Sequence, residues 1–213
     1  MNLLFDLDGT LTDPYQGITK SICHALKTLG RPVNRQMDLR WCIGPPLKSS
    51  FAKLLETDDG KLIQEAIAIY RERFGTVGLF ENEVYEAIPE TLETLRDDGH
   101  FLYVATSKPT VFAKRIIEHF DLGKYFRAVH GSELDGTHSD KTDLLAHILQ
   151  RERIAPAETI MIGDRKHDMI GAKSNDICGI GVLWGYGTRD ELEASGAQAC
   201  IRYPEALRTA FDK

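Results

Sequence analysis

Two spaced pairs of carboxylates are the residues of this chain best placed to do chemistry. The first pair, Asp6 and Asp8, lies in Asp6-Leu7-Asp8-Gly9-Thr10, directly after the apolar run Asn2–Phe5. Two carboxylates two residues apart at a strand end could point to the same side of a sheet, and Gly9 permits a tight turn that a side chain would obstruct. One of them, kept ionised by a metal, could attack phosphorus. The other could protonate the leaving oxygen and later take a proton from water. The second pair, Asp164 and Asp168, lies in Gly163-Asp164-Arg165-Lys166-His167-Asp168, after the apolar Thr159–Ile162. A hard cation such as Mg2+ takes oxygen ligands, commonly one or two carboxylates with waters and substrate phosphate. Asp6 and Asp164 from adjacent strand ends could form that site, with Asp168 either ligating or orienting a ligand. Each pair also has a plainer reading. Asp-Gly and Asp-Pro are ordinary turn material, and Asp168 could equally be a helix N-cap.

Two further positions gain meaning from that company. Thr106-Ser107-Lys108-Pro109 follows Phe101-Leu102-Tyr103-Val104-Ala105. A hydroxyl and backbone amides at a helix start would suit a phosphoryl group, although Thr or Ser before Pro is often only a cap. Lys141 precedes the amphipathic Leu144–Leu149 stretch; it could neutralise a phosphoryl group and the clustered acids, or be solvated.

These side chains need elements that converge. Short apolar strands are expected at Asn2–Phe5, Phe101–Thr106, Ala128–His130, Thr159–Ile162 and Ile177–Leu183, with helices at Pro89–Asp98, Val111–His119, Thr142–Arg153 and Asp168–Asn175. Strand and helix alternate from about Glu86 onward, as a parallel sheet covered by helices requires. Residues from about Tyr15 to Phe80 carry no convincing strand. Ile18, Ile22, Ala25, Leu26 and Leu29 fall at helical spacing and end at Gly30, and Leu47–Leu55 and Leu62–Phe74 are amphipathic. This stretch reads as a helical insertion after the first strand, beside the sheet edge where ligands bind in open α/β folds, and a mobile lid is the natural inference.

The ordered set DxD, Thr/Ser, Lys, GDxxxD resembles the haloacid dehalogenase superfamily over the whole chain, the insertion matching its first cap type. The resemblance implies a Rossmann-like, doubly wound parallel α/β core (residues 1–14 and 81–213) with a small helical-bundle cap at 15–80. It implies Asp6 as nucleophile, Asp8 as general acid/base, and Thr106, Ser107 and Lys141 holding the phosphoryl group. Mg2+ would be bound by Asp6, the Asp8 backbone carbonyl and Asp164, with Asp168 supporting. An Asp at position 8 points to phosphoryl transfer, because the dehalogenase branch lacks that second acid.

In such a family the cap supplies much of the specificity. Trp41-Cys42-Ile43-Gly44-Pro45-Pro46-Leu47 resembles the cap loop of phosphoglycolate phosphatase-like and 5′-nucleotidase-like members, which makes Gly44 and Lys48 candidate substrate-binding residues. Lys20, Arg40 and Trp41 are further candidates for a substrate's distal part. Trp41 could stack on a base or anchor a helix in a core. Gly17-Ile18-Thr19 and Glu133-Leu134-Asp135-Gly136 look closest to the nucleotidase-like branch. The expected function is Mg2+-dependent hydrolysis of small phosphate monoesters, either 5′-nucleotides or phosphoglycolate-like esters. A phosphosugar mutase using the same two acids and a non-catalytic phosphate-binding regulatory module are the alternatives.

Composition narrows the partners. The chain has 213 residues and a formal net charge of -6 with no run of Lys and Arg, which disfavours nucleic acid and leaves a small phosphorylated metabolite. No apolar run approaches the roughly 18 residues a membrane span needs, and no secretion signal is legible at the N-terminus. Cys23, Cys42, Cys178 and Cys200 lack metal-site spacing and fit free thiols in a reducing cytoplasm. The protein is expected to be cytoplasmic, a monomer or homodimer. A dinucleotide site and a P-loop are set aside for want of their glycine motifs. His167 lies inside the fourth motif; His24, His119 and His147 read as ordinary helix residues.

Overall fold

The computed structural model describes residues 1–34 and 37–210. The chain divides into two compact units, one built from Met1–Asp13 and Val84–Lys213 and the other from Pro14–Glu83.

The first unit is an α/β sheet packed by helices. In chain order the strands among the described residues are β1 (Asn2–Phe5), β2 (Thr12–Asp13), β3 (Glu83–Val84), β4 (Phe101–Pro109), β5 (Phe126–Ser132), β6 (Thr159–Gly163), β7 (Cys178–Val182) and β8 (Ala199–Ile201). Six of them form one sheet in the order β5-β4-β1-β6-β7-β8, every pairing parallel, while β2 and β3 form a separate two-stranded ladder. A strand buried on both faces cannot alternate apolar and polar residues. Accordingly all four residues of β1 and all five of β6 are buried. The chain runs outward from β1 through β4 to β5, then returns to the other side of β1 for β6, β7 and β8. That reversal of strand order falls at the carboxyl ends of β1, β4 and β6, the usual ligand position in such sheets.

The second unit comprises α1 (Tyr15–Thr28), α2 (Leu47–Leu55) and α3 (Gly60–Thr76). Helix α1 ends where the sequence offers Gly30: with φ +69° it accepts the left-handed turn, and its N–H and that of Arg31 donate back to Lys27 O and Leu26 O. Phe51, Tyr70 and Phe74 pack at the α2–α3 contact, with Tyr70 and Phe74 rings stacked at 5.2 Å. Arg73 pairs with Glu81 at 2.8 Å and also reaches Ser21 Oγ, fastening α3 to α1 and to the chain beyond it. No strand occurs in the described part of Tyr15–Phe80.

The first unit continues with α4 (Ile88–Asp97), α5 (Thr110–His119), α6 (Lys141–Glu152), α7 (Lys166–Ser174) and α8 (Arg189–Ala194). On one face of the sheet Leu4, Tyr103 and Met161 pack against Leu144, Leu145 and Ile148 of α6 and Ala172 of α7, all buried. This packing holds both α6 and α7 with their first residues at the carboxyl edge of the sheet.

Four expectations change. The fifth strand runs Phe126–Ser132 rather than Ala128–His130, because Gly131 and Ser132 continue the pairing opposite Pro109 after a shift in register. For the same reason Thr106–Pro109 is the end of β4 and not a helix start; α5 begins at Thr110. Asp168 is not an N-cap: it is the third residue of α7, and its carboxylate accepts from the Arg165 N–H at 3.1 Å. Strand β8 and helix α8, three and six residues long, were not foreseen. Among the described residues no helix is long and apolar enough to cross a membrane, and all four cysteines are free.

Candidate active site

Asp6 follows the last residue of β1, and its N–H donates to Ile162 O at 2.9 Å, so the ladder with β6 extends to the carboxylate itself. Asp164 follows β6 in the neighbouring position, and Asp168 rises from the first turn of α7. These three buried carboxylates bring oxygens within 4.8 Å of one another. Lys141, the first residue of α6, is drawn in among them: its Nζ lies 3.1 Å from Asp6 Oδ1 and 2.7 Å from Asp168 Oδ1, and donates to Ala105 O at 2.8 Å. Both carboxylate contacts are close ion pairs.

The glycines of the two acidic motifs allow this crowding. Gly9 has φ +85°, and a Cβ there would overlap the Asp164 carboxylate; a Cβ on Gly163 would overlap that of Asp168. Asp164 is held by Thr10 Oγ1 at 3.5 Å and by the Tyr186 N–H at 2.8 Å. The segment after β7 closes this side. Trp184 Nε1 donates to Thr10 O at 2.9 Å, the Tyr186 hydroxyl donates to Asp13, and side chains at Gly185 or Gly187 would run into Asp164.

Asp8 lies outside the three-carboxylate cluster, and its Oδ2 pairs with Lys108 Nζ at 2.7 Å. Thr106 is buried, and its Oγ1 accepts from the Lys108 N–H at 3.2 Å. Ser107 lies beside it, its carbonyl accepting from Ser132 Oγ at 2.9 Å. The structure thus brings together Asp6, Asp8, Thr106, Lys141, Asp164 and Asp168. Gly44 and Lys48 belong to the helical unit, Gly44 with φ +98° before α2 and Lys48 exposed on its first turn.

Burial governs the protonation of the acids. It pushes the Asp164 carboxyl well above the usual range, with the charges of Asp168 and Asp6 adding to the effect. Burial also raises Asp168 to about 6 against the pull of Lys141, and raises Asp8 against the pull of Lys108. Although burial opposes its charge, Lys141 is held above its ordinary value by Asp168 and Asp6. With all four carboxyls ionised, they would face two ammonium groups, an excess of two negative charges. One divalent cation would offset it, and hard oxygen ligands with no nitrogen or sulfur donor suit magnesium.

A pH dependence follows with a definite sign. Each raised carboxyl favours its protonated form in the fold; for Asp168 the cost of ionisation builds as pH climbs from the ordinary carboxylate range through about 6, and Asp164 and Asp8 are shifted in the same direction. A cation competes with those protons. Magnesium is therefore expected to raise the unfolding temperature more at pH 7.5 than at pH 5, as scanning calorimetry at fixed ionic strength would show. An equal shift at both pH values would contradict the assignment of these acids to a cation.

Strand-end acids, a buried lysine and a hydroxyl lie together at the switch point of a parallel sheet, the place where enzymes of this architecture bind their ligands. Residues 3–182 match the haloacid dehalogenase-like hydrolase family, and the chain belongs to it. A 5′-nucleotidase of Pseudomonas aeruginosa is 50% identical over 91% of this chain and 87% of its own. The tyrosine-protein kinase PtkA of Mycobacterium tuberculosis is 38% identical over 90% of this chain but only 65% of its own. The crystal structure of a predicted phosphatase from Clostridium acetobutylicum superposes with a TM-score of 0.93 at 44% identity, covering 98% of this chain and 96% of that one. The protein is an enzyme of this family's phosphatase class.

Sequence reasoning passed over Lys108, Thr10, Trp184 and Tyr186. The Trp184-Gly185-Tyr186-Gly187 run after a strand, with glycines alternating between aromatics, was the available signal for the last two. Nothing in the spacing of Lys108 announced that its side chain turns back to Asp8.

Proposed function

We propose that the protein is a magnesium-dependent phosphatase that hydrolyses small phosphate monoesters through an aspartyl phosphate on Asp6. The observation that carries this reading is the burial of Asp6, Asp164 and Asp168 within 4.8 Å of one another around Lys141 at the carboxyl edge of the sheet. Magnesium held by Asp6 and Asp164, with Asp168 supporting, would supply charge neutralisation to the phosphoryl oxygens.

The chain's own groups do the rest. An oxygen of Asp6 attacks phosphorus in line as the bond to the leaving oxygen breaks, while Asp8 gives that oxygen its proton. Lys141 and the Thr106 hydroxyl hold the phosphoryl group through the displacement. Water then attacks phosphorus, Asp8 takes its proton, and the Asp6 carboxylate is released.

For the substrate, the likeness to a 5′-nucleotidase over most of both chains supports a nucleoside 5′-monophosphate first. Phosphoglycolate phosphatases are similar at lower identity, 25% in Colwellia psychrerythraea, and make a phosphoglycolate-like ester the second candidate. Gly44 and Lys48 are the positions to which we assign discrimination between esters. A reducing cytoplasm suits the four free thiols, and the partner is a small phosphorylated metabolite met by a monomer or homodimer.

The test is phosphate release from nucleoside monophosphates, phosphoglycolate, sugar phosphates and an aryl phosphate, with magnesium and with excess chelator. Release confined to magnesium and fastest with a nucleoside monophosphate is expected. Phosphate moved between positions of one sugar, with none freed, would replace the hydrolase reading by a mutase; no turnover of any ester would favour a binding module.

A further inference from the structure

Lys108 is a buried cation in the heart of this site with no part in that reaction scheme. Its side chain is only 6% exposed. A lysine is seldom buried so far unless a charge holds it there, and the charge is Asp8, whose Oδ2 lies 2.7 Å from Nζ. The other oxygen of the same carboxylate, Asp8 Oδ1, is buried and has no hydrogen-bond partner. The two oxygens of Asp8 are therefore unequal: one is paired with Lys108 and the other is not.

The grip is built into the backbone. Lys108 stands in the irregular end of β4, where the register with β5 shifts between Ala105 and Pro109. A Cβ on Gly131 would overlap the Lys108 carbonyl, so β5 and β4 approach as closely as glycine allows. Ser132 Oγ donates to Ser107 O at 2.9 Å, and Thr110 Oγ1 donates to Ser132 O at 3.2 Å, clamping the segment on both sides. The Lys108 N–H also donates to Thr106 Oγ1, which leaves the proton of that hydroxyl for another acceptor. One residue thus orients both the acid and the phosphoryl-binding hydroxyl.

We propose that Lys108 is a positioning residue for proton transfer: by holding Oδ2 of Asp8 it fixes Oδ1 as the oxygen that passes the proton. The inference rests on the phosphatase reading. In the first half-reaction the leaving oxygen takes the electron pair of the breaking P–O bond and the proton on Oδ1. In the second, water bonds to phosphorus, its proton goes to Oδ1, and the electron pair of the Asp6–phosphorus bond returns to the carboxylate. Lys108 keeps its protons throughout.

Leaving groups of different basicity test this in the full chain with magnesium, comparing wild type with Lys108→Met and Lys108→Gln. A dinitrophenolate departs without a proton, whereas a nucleoside or phenyl leaving group needs one. General acid–base catalysis typically contributes about 10²–10⁴-fold. A loss on the order of 10²-fold or more in kcat/KM is therefore expected for the nucleoside monophosphate and phenyl phosphate in Lys108→Met, but under roughly tenfold for 2,4-dinitrophenyl phosphate. With that last ester the variant should also release about one dinitrophenolate per enzyme in a rapid burst and then turn over slowly, because water still needs Oδ1. A uniform loss across all three esters with raised KM would overturn the inference and make Lys108 a phosphoryl-binding group. A loss that follows the fall in unfolding temperature and disappears in a stable Lys108→Gln would also overturn it, as a structural effect. Failure of the underlying reading would show first in the wild type, as no magnesium-dependent release, and would overturn both.

Discussion

Asp6→Asn is expected to lower turnover by a factor on the order of 10⁴ or more with every ester, because the proposed attack on phosphorus needs the carboxylate that the amide replaces. An amide keeps the shape of the carboxylate but not its nucleophilicity or its hold on a cation. The fold should survive, and the direction of the stability change is fixed by the surroundings. The Asp6 charge raises the carboxyls of both Asp164 and Asp168, so removing it relieves repulsion in a buried cluster that carries excess negative charge. Against this stands the loss of one of the two carboxylates paired with Lys141, which keeps Asp168 at 2.7 Å. The metal-free variant should unfold at the wild-type temperature or slightly above, by calorimetry, while its response to magnesium shrinks. A correctly folded Asp6→Asn with near wild-type turnover would remove Asp6 as the nucleophile.

Lys141→Met should damage both stability and catalysis, and magnesium should mend only the first. The ammonium group is buried between Asp6 and Asp168 and donates to the Ala105 carbonyl, so its loss strands two buried anions and an acceptor. Breaking a buried pair from one side costs about 3–5 kcal/mol. For a chain of this size that is a fall of roughly 10 °C in Tm, at about 2–4 °C per kcal/mol. A divalent cation can restore the missing positive charge and recover part of that loss. Under the proposed mechanism it cannot replace the donor that Lys141 would give the phosphoryl group, and removing such a donor typically costs about 10²–10³-fold in kcat. Recovery of activity along with Tm on adding magnesium would show that Lys141 serves only to balance charge.

The parts of this molecule that were legible in its sequence are those whose physics is local. Buried parallel strands show as uninterrupted apolar runs, so β1, β4 and β6 stand out, and with them the acids at their ends. Gly30 closes α1 through a turn that can be read from one residue. What stayed hidden depends on contacts far apart in the chain. The pairing of Pro109 with Ser132 turns Thr106–Pro109 into a strand end, although the residues themselves would suit a helix start equally well. Asp168 looks like an N-cap because an acid before an apolar stretch usually is one. Only the Arg165 N–H, three residues earlier, shows that α7 has already begun. Lys108 and Asp8 are a hundred residues apart, and no periodicity links them. Tyr186 reaches Asp164 and Asp13 from a loop whose path is set by β7 and β8, the latter too short and too poor in β-branched residues to be seen beforehand.

The central claim is a phosphoryl group carried on Asp6, and rapid acid quench followed by mass analysis measures it directly. Wild-type protein mixed with magnesium and 2,4-dinitrophenyl phosphate, quenched within the first turnover, should gain the mass of one phosphoryl group. That group should map to the peptide containing Asp6, be lost in mild alkali as an acyl phosphate is, and be missing from Asp6→Asn. Turnover of the ester with no phosphorylated protein at any quench time, or with the phosphoryl group on another residue, would contradict the account.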